Sequence, residues 1–329
     1  MKKIFLFTCL LVGCFCLGFA QKLQYNKDGK FKIVQFTDVH YIYQDPRSTV
    51  SIERIHEVLD AEKPDLIVFT GDLIYGKPAD KSMSYLLEEV AKHQIPFAVT
   101  FGNHDDEQGM TREELYHLIK KIPYNVISTT EGLPGVSNYV LPVYDRHSNS
   151  VANVLYLFDS HSYSKIKGVG GYDYIDFSQI QWYCEQSKKF AAMNHQTPIP
   201  SLAFFHIPLP EYNQASQAEH APVFGIRKER ACSPELNSGL FTAMKQMNDV
   251  QGVFVGHDHD NDYAVMWHHI MLAYGRYTGG NTVYNNLSNG ARVIELTEGE
   301  PGFRTWIRLK NNQVEQEVNF PTSFLKPNK

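Results

Sequence analysis

Five short segments of this chain, each directly after a run of apolar and β-branched residues, carry seven side chains of the kind that bind metal ions. They are Asp38-Val39-His40, Gly71-Asp72, Gly102-Asn103-His104-Asp105, His206 within Phe204-Phe205-His206-Ile207-Pro208, and Gly256-His257-Asp258-His259. A fold that brings Asp38, His40, Asp72, Asn103, His206, His257 and His259 together must end five strands at one edge. Ligands in α/β sheets collect beyond the carboxyl ends of strands, and the glycines at 71, 102 and 256 supply the tight turns such a convergence needs.

The strand signals are short, apolar stretches at Phe31–Thr37, Asp65–Thr70, Pro96–Phe101, Asn153–Phe158, Ser201–Phe205 and Val250–Val255. Between the first two, Ile52, Ile55, Val58 and Leu59 fall on one helical face; Met83, Leu86, Leu87 and Val90 do so in the next gap. A further helix is expected from Ser178 to about Met193. Alternating strands and helices predict an α/β architecture with a largely parallel sheet at its centre. Strand-like runs at Ile270–Tyr274, Ala291–Leu296 and Phe303–Leu309 extend it, without an internal repeat or low-complexity linker.

Carboxylate, amide and imidazole donors without a thiolate suit two divalent or trivalent cations such as Fe, Mn or Zn. Paired cations a few ångströms apart are a recurrent means of hydrolysing phosphate esters. The formal net charge of −5 argues against a nucleic-acid-binding surface.

Residues 1–20 have the pattern of a secretory signal: Lys2 and Lys3, an apolar run from Ile4 to Leu17, and small residues before Gln21. The expectation is cleavage after Ala20 and an exported protein, periplasmic or extracellular, with residues 21–329 as a single domain. Lipidation of Cys14, in Leu11-Val12-Gly13-Cys14, is the alternative. The run falls short of the ~20 residues a membrane span requires, and no other segment approaches that length. Outside the leader only Cys184 and Cys232 remain, so no disulfide framework is implied. The oligomeric state is left open.

Taken together, the five segments resemble those of the calcineurin-like metallophosphoesterases, especially the purple-acid-phosphatase-related branch. The likeness extends from about Phe31 to Val293 and includes Ala61-Glu62-Lys63-Pro64-Asp65-Leu66, Asn237-Ser238-Gly239 and Asp260-Asn261-Asp262. It implies a four-layer α/β/β/α sandwich with a dimetal site at one edge. One metal would be held by Asp38, His40, Asp72 and His259, the other by Asp72, Asn103, His206 and His257, with Asp72 bridging. It further implies that metal-activated hydroxide attacks a phosphomonoester or phosphodiester, small or protein-borne. His104 would protonate the leaving oxygen, and Asp105 would hold its other ring nitrogen.

Purple acid phosphatases lack the histidine of the first segment and use a tyrosine three residues after the bridging aspartate. This chain has both His40 and Tyr75; His40 is expected to take the ligand position and Tyr75 to pack beside it. A metal-binding module without turnover is the competing reading, and His104 beside a complete ligand set speaks against it. His268-His269 is expected to be structural, because neighbouring residues on a strand point to opposite faces.

From Ile207 to Asn237 there is no sustained helical or strand period, and prolines punctuate the stretch. It is expected to fold over the site as a wall or lid. Its basic residues Arg227, Lys228 and Arg230 suggest that Arg227 or Arg230 grips a second anionic group of the substrate.

Overall fold

The computed structural model describes residues 22–325; the expectations for the leader and for Cys14 lie outside them. Thirteen strands and six α-helices form among the described residues. The first half of the chain gives β1 (Lys30–Phe36), α1 (Thr49–Glu62), β2 (Leu66–Thr70), α2 (Ala79–Ala91), β3 (Phe97–Thr100), α3 (Arg112–Ile119), β4 (Tyr139–Tyr144) and β5 (Val151–Leu157). Next come α4 (Phe177–Met193), β6 (Ser201–Phe204), α5 (Glu211–Gln217), β7 (Val223–Phe224), α6 (Leu240–Met247) and β8 (Val250–Val255). The chain closes with β9 (Ala264–Trp267), β10 (Ile270–Tyr274), β11 (Gly290–Thr297), β12 (Phe303–Leu309) and β13 (Val314–Phe320).

These strands build two sheets, where strand–helix alternation alone pointed to one. The first has the order β13-β12-β11-β1-β2-β3, the second β4-β5-β6-β8-β10-β9-β7. Each has a parallel centre, β1-β2-β3 and β5-β6-β8-β10, flanked by antiparallel strands. Periodicity cannot assign a strand to a sheet, since both centres are buried on both faces and read as continuous apolar runs.

Side-chain alternation sets the layers. Leu155, Leu157, Leu202, Phe204 and Phe254 face a core shared with β1–β3 and α1–α3. Their neighbours Val154, Tyr156, Ala203, Val253 and Val255 face a second core closed by α4, α5 and α6. The result is the expected α/β/β/α sandwich. Each fully buried side chain of leucine or phenylalanine size contributes ~1.5–3 kcal/mol relative to an exposed one. Phe204 stacks on Phe254 with ring centroids 5.3 Å apart.

Local chemistry explains several boundaries. Helix α4 begins in a capping box between Asp176 and Gln179. Helix α1 ends at Lys63, left-handed with φ 46°, before Pro64. His268 and His269 are exposed and form the two-residue turn between β9 and β10, with φ 45° and 64°. They are therefore structural as turn residues, not as alternating strand residues.

Candidate metal centre

The sandwich joins its sheets where the ligand turns leave them. Gln35, at the end of β1, donates through Nε2 to Thr70 Oγ1 at 2.9 Å and to the Val255 carbonyl at 3.0 Å. The turns also bind one another: Asp38 N–H donates to Gly71 O, His40 N–H to Asp72 O and Gly256 N–H to His206 O. Four ligand-type residues adopt left-handed backbone, Asp38 (φ 52°), His40 (47°), Asp72 (51°) and His257 (82°). Such conformations cost ~1–3 kcal/mol each for non-glycine residues and cluster at functional sites. The glycines are required by proximity. A Cβ at Gly102 would lie 2.1 Å from Asp72 Oδ1, and one at Gly256 1.9 Å from Thr37 Oγ1.

Two donor groups result, Asp38, His40 and His259 in one and Asp72, His206 and His257 in the other, all buried. Asp72 Oδ2 lies 3.1 Å from His206 Nε2 and 3.8 Å from His40 Nε2, so it faces both groups. The second carboxylate, Asp38, has Oδ1 3.7 Å from His259 Nε2, while Thr37 Oγ1 donates to its Oδ2 at 2.7 Å. Nε2 of His40 and of His259 are 3.1 Å apart, and His257 Nδ1 is 3.2 Å from His206 Nε2. Nitrogen atoms this close, directed at one another, suit ions between them. Hydrogen bonds fix two of the rings: His206 Nδ1–H donates to Thr70 O at 2.8 Å and His259 Nδ1–H to Tyr284 O at 2.9 Å. Each then presents Nε2 to the centre. Both carboxamide atoms of Asn103, and Nδ1 of His40, are buried without a hydrogen-bond partner among the described residues.

Burial and charge divide these groups. Burial lifts the Asp38 carboxyl above its ordinary range. At Asp72 burial pushes the same way but is outweighed by His206, His40 and His104, which hold it well below that range. Burial holds His40 and His257 well below the ordinary imidazole value, in the neutral form that ligates metal. It disfavours the His206 cation too, yet Asp72 and Asp38 raise that group to about 9.

His104 sits at the edge of the centre, its ring 5.6 Å from that of His40. The expected contact with Asp105 is not made. Asp105 is buried beneath the turn and accepts N–H bonds from Gly102 (2.8 Å), Asp72 (3.0 Å), Leu73 (2.8 Å) and Ile74 (3.2 Å). It thus ties the turn after β2 to the turn after β3. Burial, reinforced by Asp72, raises its carboxyl to about 7. The carboxylate on His104 Nδ1 is Glu107, at 2.5 Å. Beneath the same turn the buried Arg112 pairs with Asp159 and donates to Gly102 O at 2.7 Å and His161 O at 3.0 Å.

The segment expected to be irregular contains α5 and the short strand β7. Seven residues are too few for a helical period to show, and α5 is held by burial of Tyr212 and Ala215. Beyond β7 the chain runs along the turn carrying His257 and His259: Lys228 and Glu229 N–H donate to Asn261 Oδ1, and Cys232 N–H to the Asp258 carboxylate. Arg227 and Arg230 are exposed and make no ion pair among the described residues. The side chain facing the site's rim is Glu229, which accepts from Asp260 N–H at 2.8 Å and Tyr284 O–H at 3.2 Å. Tyr75 packs as expected, edge-on to His40 at 5.2 Å and His104 at 5.1 Å. Sequence reasoning missed Glu107, Arg112, Tyr163, Tyr172, Glu229 and Tyr284. Nineteen tyrosines in the composition hint at an aromatic surface but locate nothing. Cys184 and Cys232 form no disulfide among the described residues.

Comparison with known proteins agrees with this geometry. The sequence profile of the calcineurin-like phosphoesterases matches residues 31–261. The chain is 34% identical over 308 residues to the probable inactive purple acid phosphatase 14 of Arabidopsis thaliana, covering 82% of this chain and 75% of that one. It is 33% identical to the probable inactive purple acid phosphatase 29 of the same plant, covering 94% and 92%. It is 35% identical to phosphatase DCR2 of Saccharomyces cerevisiae, covering 90% of this chain but only 56% of that one. In fold it resembles a dimetal phosphatase from Danio rerio, with a TM-score of 0.56 at 12% identity over 88% and 98% of the two chains. With these matches and two adjoining sets of buried ligand-type side chains at the strand ends, the chain belongs to the calcineurin-like phosphoesterases, in their purple-acid-phosphatase-related branch.

Proposed function

We propose that this protein is an exported, working hydrolase of phosphomonoesters or phosphodiesters, with residues 21–329 as its one catalytic domain. The observation that carries the reading is Asn103. A carboxamide buried with neither atom hydrogen-bonded loses free energy that folding must recover elsewhere, and a cation at Oδ1 would recover part of it. On this reading Asp38, His40, Asp72 and His259 hold one metal, and Asp72, Asn103, His206 and His257 the other. When bound, the pair supplies acidified water and draws negative charge from the phosphoryl group.

The chain's own residues do the rest. Asp105 holds the two turns in register, so Asp72 and Asn103 reach the same point, and Arg112 ties the second turn to the segment after β5 through Asp159 and the His161 carbonyl. His104 is oriented by Glu107 at Nδ1, and its Nε2 makes no hydrogen bond among the described residues. That nitrogen is free to donate a proton to a leaving oxygen.

Two plant relatives carry the word inactive in their names, which keeps the competing reading, a metal-binding module without turnover, in the test. Full-length mature protein loaded with Mn²⁺ or Fe²⁺ should hydrolyse aryl phosphates and hold two metals per chain by elemental analysis. Two bound metals with no turnover on mono- or bis-aryl phosphates would establish the binding module instead. Export is tested separately: protein from the natural host should begin at Gln21, whereas a diacylated Cys14 would identify a lipoprotein.

A further inference from the structure

Three of the chain's exposed large side chains gather at the rim of the metal centre, and with Tyr172 they pack directly or in series on its imidazoles. Tyr284, 55% exposed, stacks on the His259 ring with centroids 4.4 Å apart and planes 25° from parallel. Tyr172 sets its ring perpendicular to His257 at 4.3 Å, and Tyr163, 45% exposed, stacks on Tyr172 at 5.6 Å. Tyr75, 36% exposed, stands edge-on to His40 and His104. One wall therefore adjoins each donor group, with Tyr75 between them.

The outer rings are held in place without being buried. Tyr163 O–H donates to Glu107 Oε1 at 3.1 Å and Tyr284 O–H to Glu229 Oε2 at 3.2 Å. Ordering an exposed ring costs conformational entropy and returns little burial, so folding alone does not account for two such rings at one opening. Their hydroxyls are tied down at the tips, which leaves ring faces available to a ligand.

We propose that the tyrosine rim makes this site selective for phosphate esters whose organic group is a planar aromatic ring, taken against Tyr284 or Tyr163 while the phosphoryl group sits at the metals. The inference rests on the hydrolase reading for its reaction but not for its recognition. Aromatic faces favour planar rings over saturated ones of similar size, because offset stacking adds to area burial.

The test compares phenylphosphonate, cyclohexylphosphonate and methylphosphonate, which are not hydrolysed, by calorimetric titration of the Mn²⁺-loaded full chain. The phenyl compound should bind about tenfold more tightly than the methyl one, with the cyclohexyl compound clearly weaker than phenyl. In the double variant Tyr163→Leu/Tyr284→Leu the phenyl advantage should collapse to about twofold, with metal content and methylphosphonate affinity retained; Tyr163→Phe/Tyr284→Phe should preserve it. Equal affinity for phenyl and methyl, equal affinity for phenyl and cyclohexyl, or no binding by any of the three would overturn the proposal. The wild-type comparison decides even if the leucine variant does not fold. Turnover is not needed, so an inactive protein that still prefers the phenyl compound upholds the aromatic site and sinks only the hydrolase reading.

Discussion

The backbone N–H of His104 donates to Asp72 Oδ1 at 2.8 Å, across 32 positions of sequence. One oxygen of that carboxylate is thereby committed to the turn after β3. The other, Oδ2, faces His206 and His40, one from each donor group. Asp72 can therefore be shared by two ions, and any shift of the His104 turn moves it.

Asp72→Asn should lose at least one metal, because an amide neither carries the charge nor readily bridges two cations. Even residues that only orient metal ligands cost roughly 10–100-fold when changed, so activity should fall by on the order of 100-fold or more. Two tightly held metals by elemental analysis with normal turnover would remove Asp72 from the bridge.

His104→Asn should keep both metals and slow alkyl esters by about 100-fold while affecting activated aryl esters much less, since only poor leaving groups need a proton. Steady-state rates across a leaving-group series measure this. Uniform slowing would restrict His104 to positioning the phosphoryl group.

Gly256→Ala places a Cβ 1.9 Å from Thr37 Oγ1 and 2.6 Å from Asp38 Oδ2. Overpacking of this kind costs ~1–3 kcal/mol, and here it displaces the Asp38 carboxylate. We expect a lower melting temperature and, on the proposed assignment of Asp38 as a ligand, weaker metal retention, read by dialysis against chelator. An unchanged profile would show that the two turns separate easily.

Glu62, at the end of α1, accepts from Trp306 Nε1 (2.9 Å), Arg308 Nε (2.6 Å) and Lys32 Nζ (3.1 Å). Burial works to raise its carboxyl, but these three donors lower it below the ordinary 4.5. A folded-state value below the unfolded one gives stability that is present above 4.5 and is lost as pH falls below it. Glu62→Gln should cost about 2 kcal/mol at pH 7, with the difference from wild type shrinking in acid. Denaturant midpoints at pH 7 and pH 3 check it; an equal loss at both would assign the effect to packing.

Arg227→Ala/Arg230→Ala should raise KM for a multiply anionic substrate and spare a small aryl phosphate, given two exposed guanidiniums on the segment beside the His257–His259 turn. The same KM change for both substrates, or none for either, would leave the arginines as surface charge.

The ligand segments were legible because their chemistry is local. A metal-binding side chain, a small residue before it and an apolar strand before that are all adjacent in sequence. The central strands and α1, α2 and α4 were legible for the same reason, since each strand is a short continuous apolar run and each helix is a long local segment between such runs. Helix α5 escaped because seven residues show none. Asp105 was assigned to the His104 ring because they are neighbours in sequence, yet the turn after β3 points its carboxylate inward, to four backbone N–H groups that only the paired turns bring together.

Sequence by itself determined which donors the chain carries, that they end strands, and that the family is one of dimetal phosphoesterases. Only the tertiary structure decided which strand joins which of the two sheets, and in what order, because alternation within a strand does not identify its partner. It also decided that Glu107 meets His104 and that tyrosines from three separate loops line the opening. Those contacts join residues distant in sequence, Tyr163 and Glu107 among them, 56 positions apart. They come from loops without periodicity, whose positions are set by the elements they connect and not by their own composition.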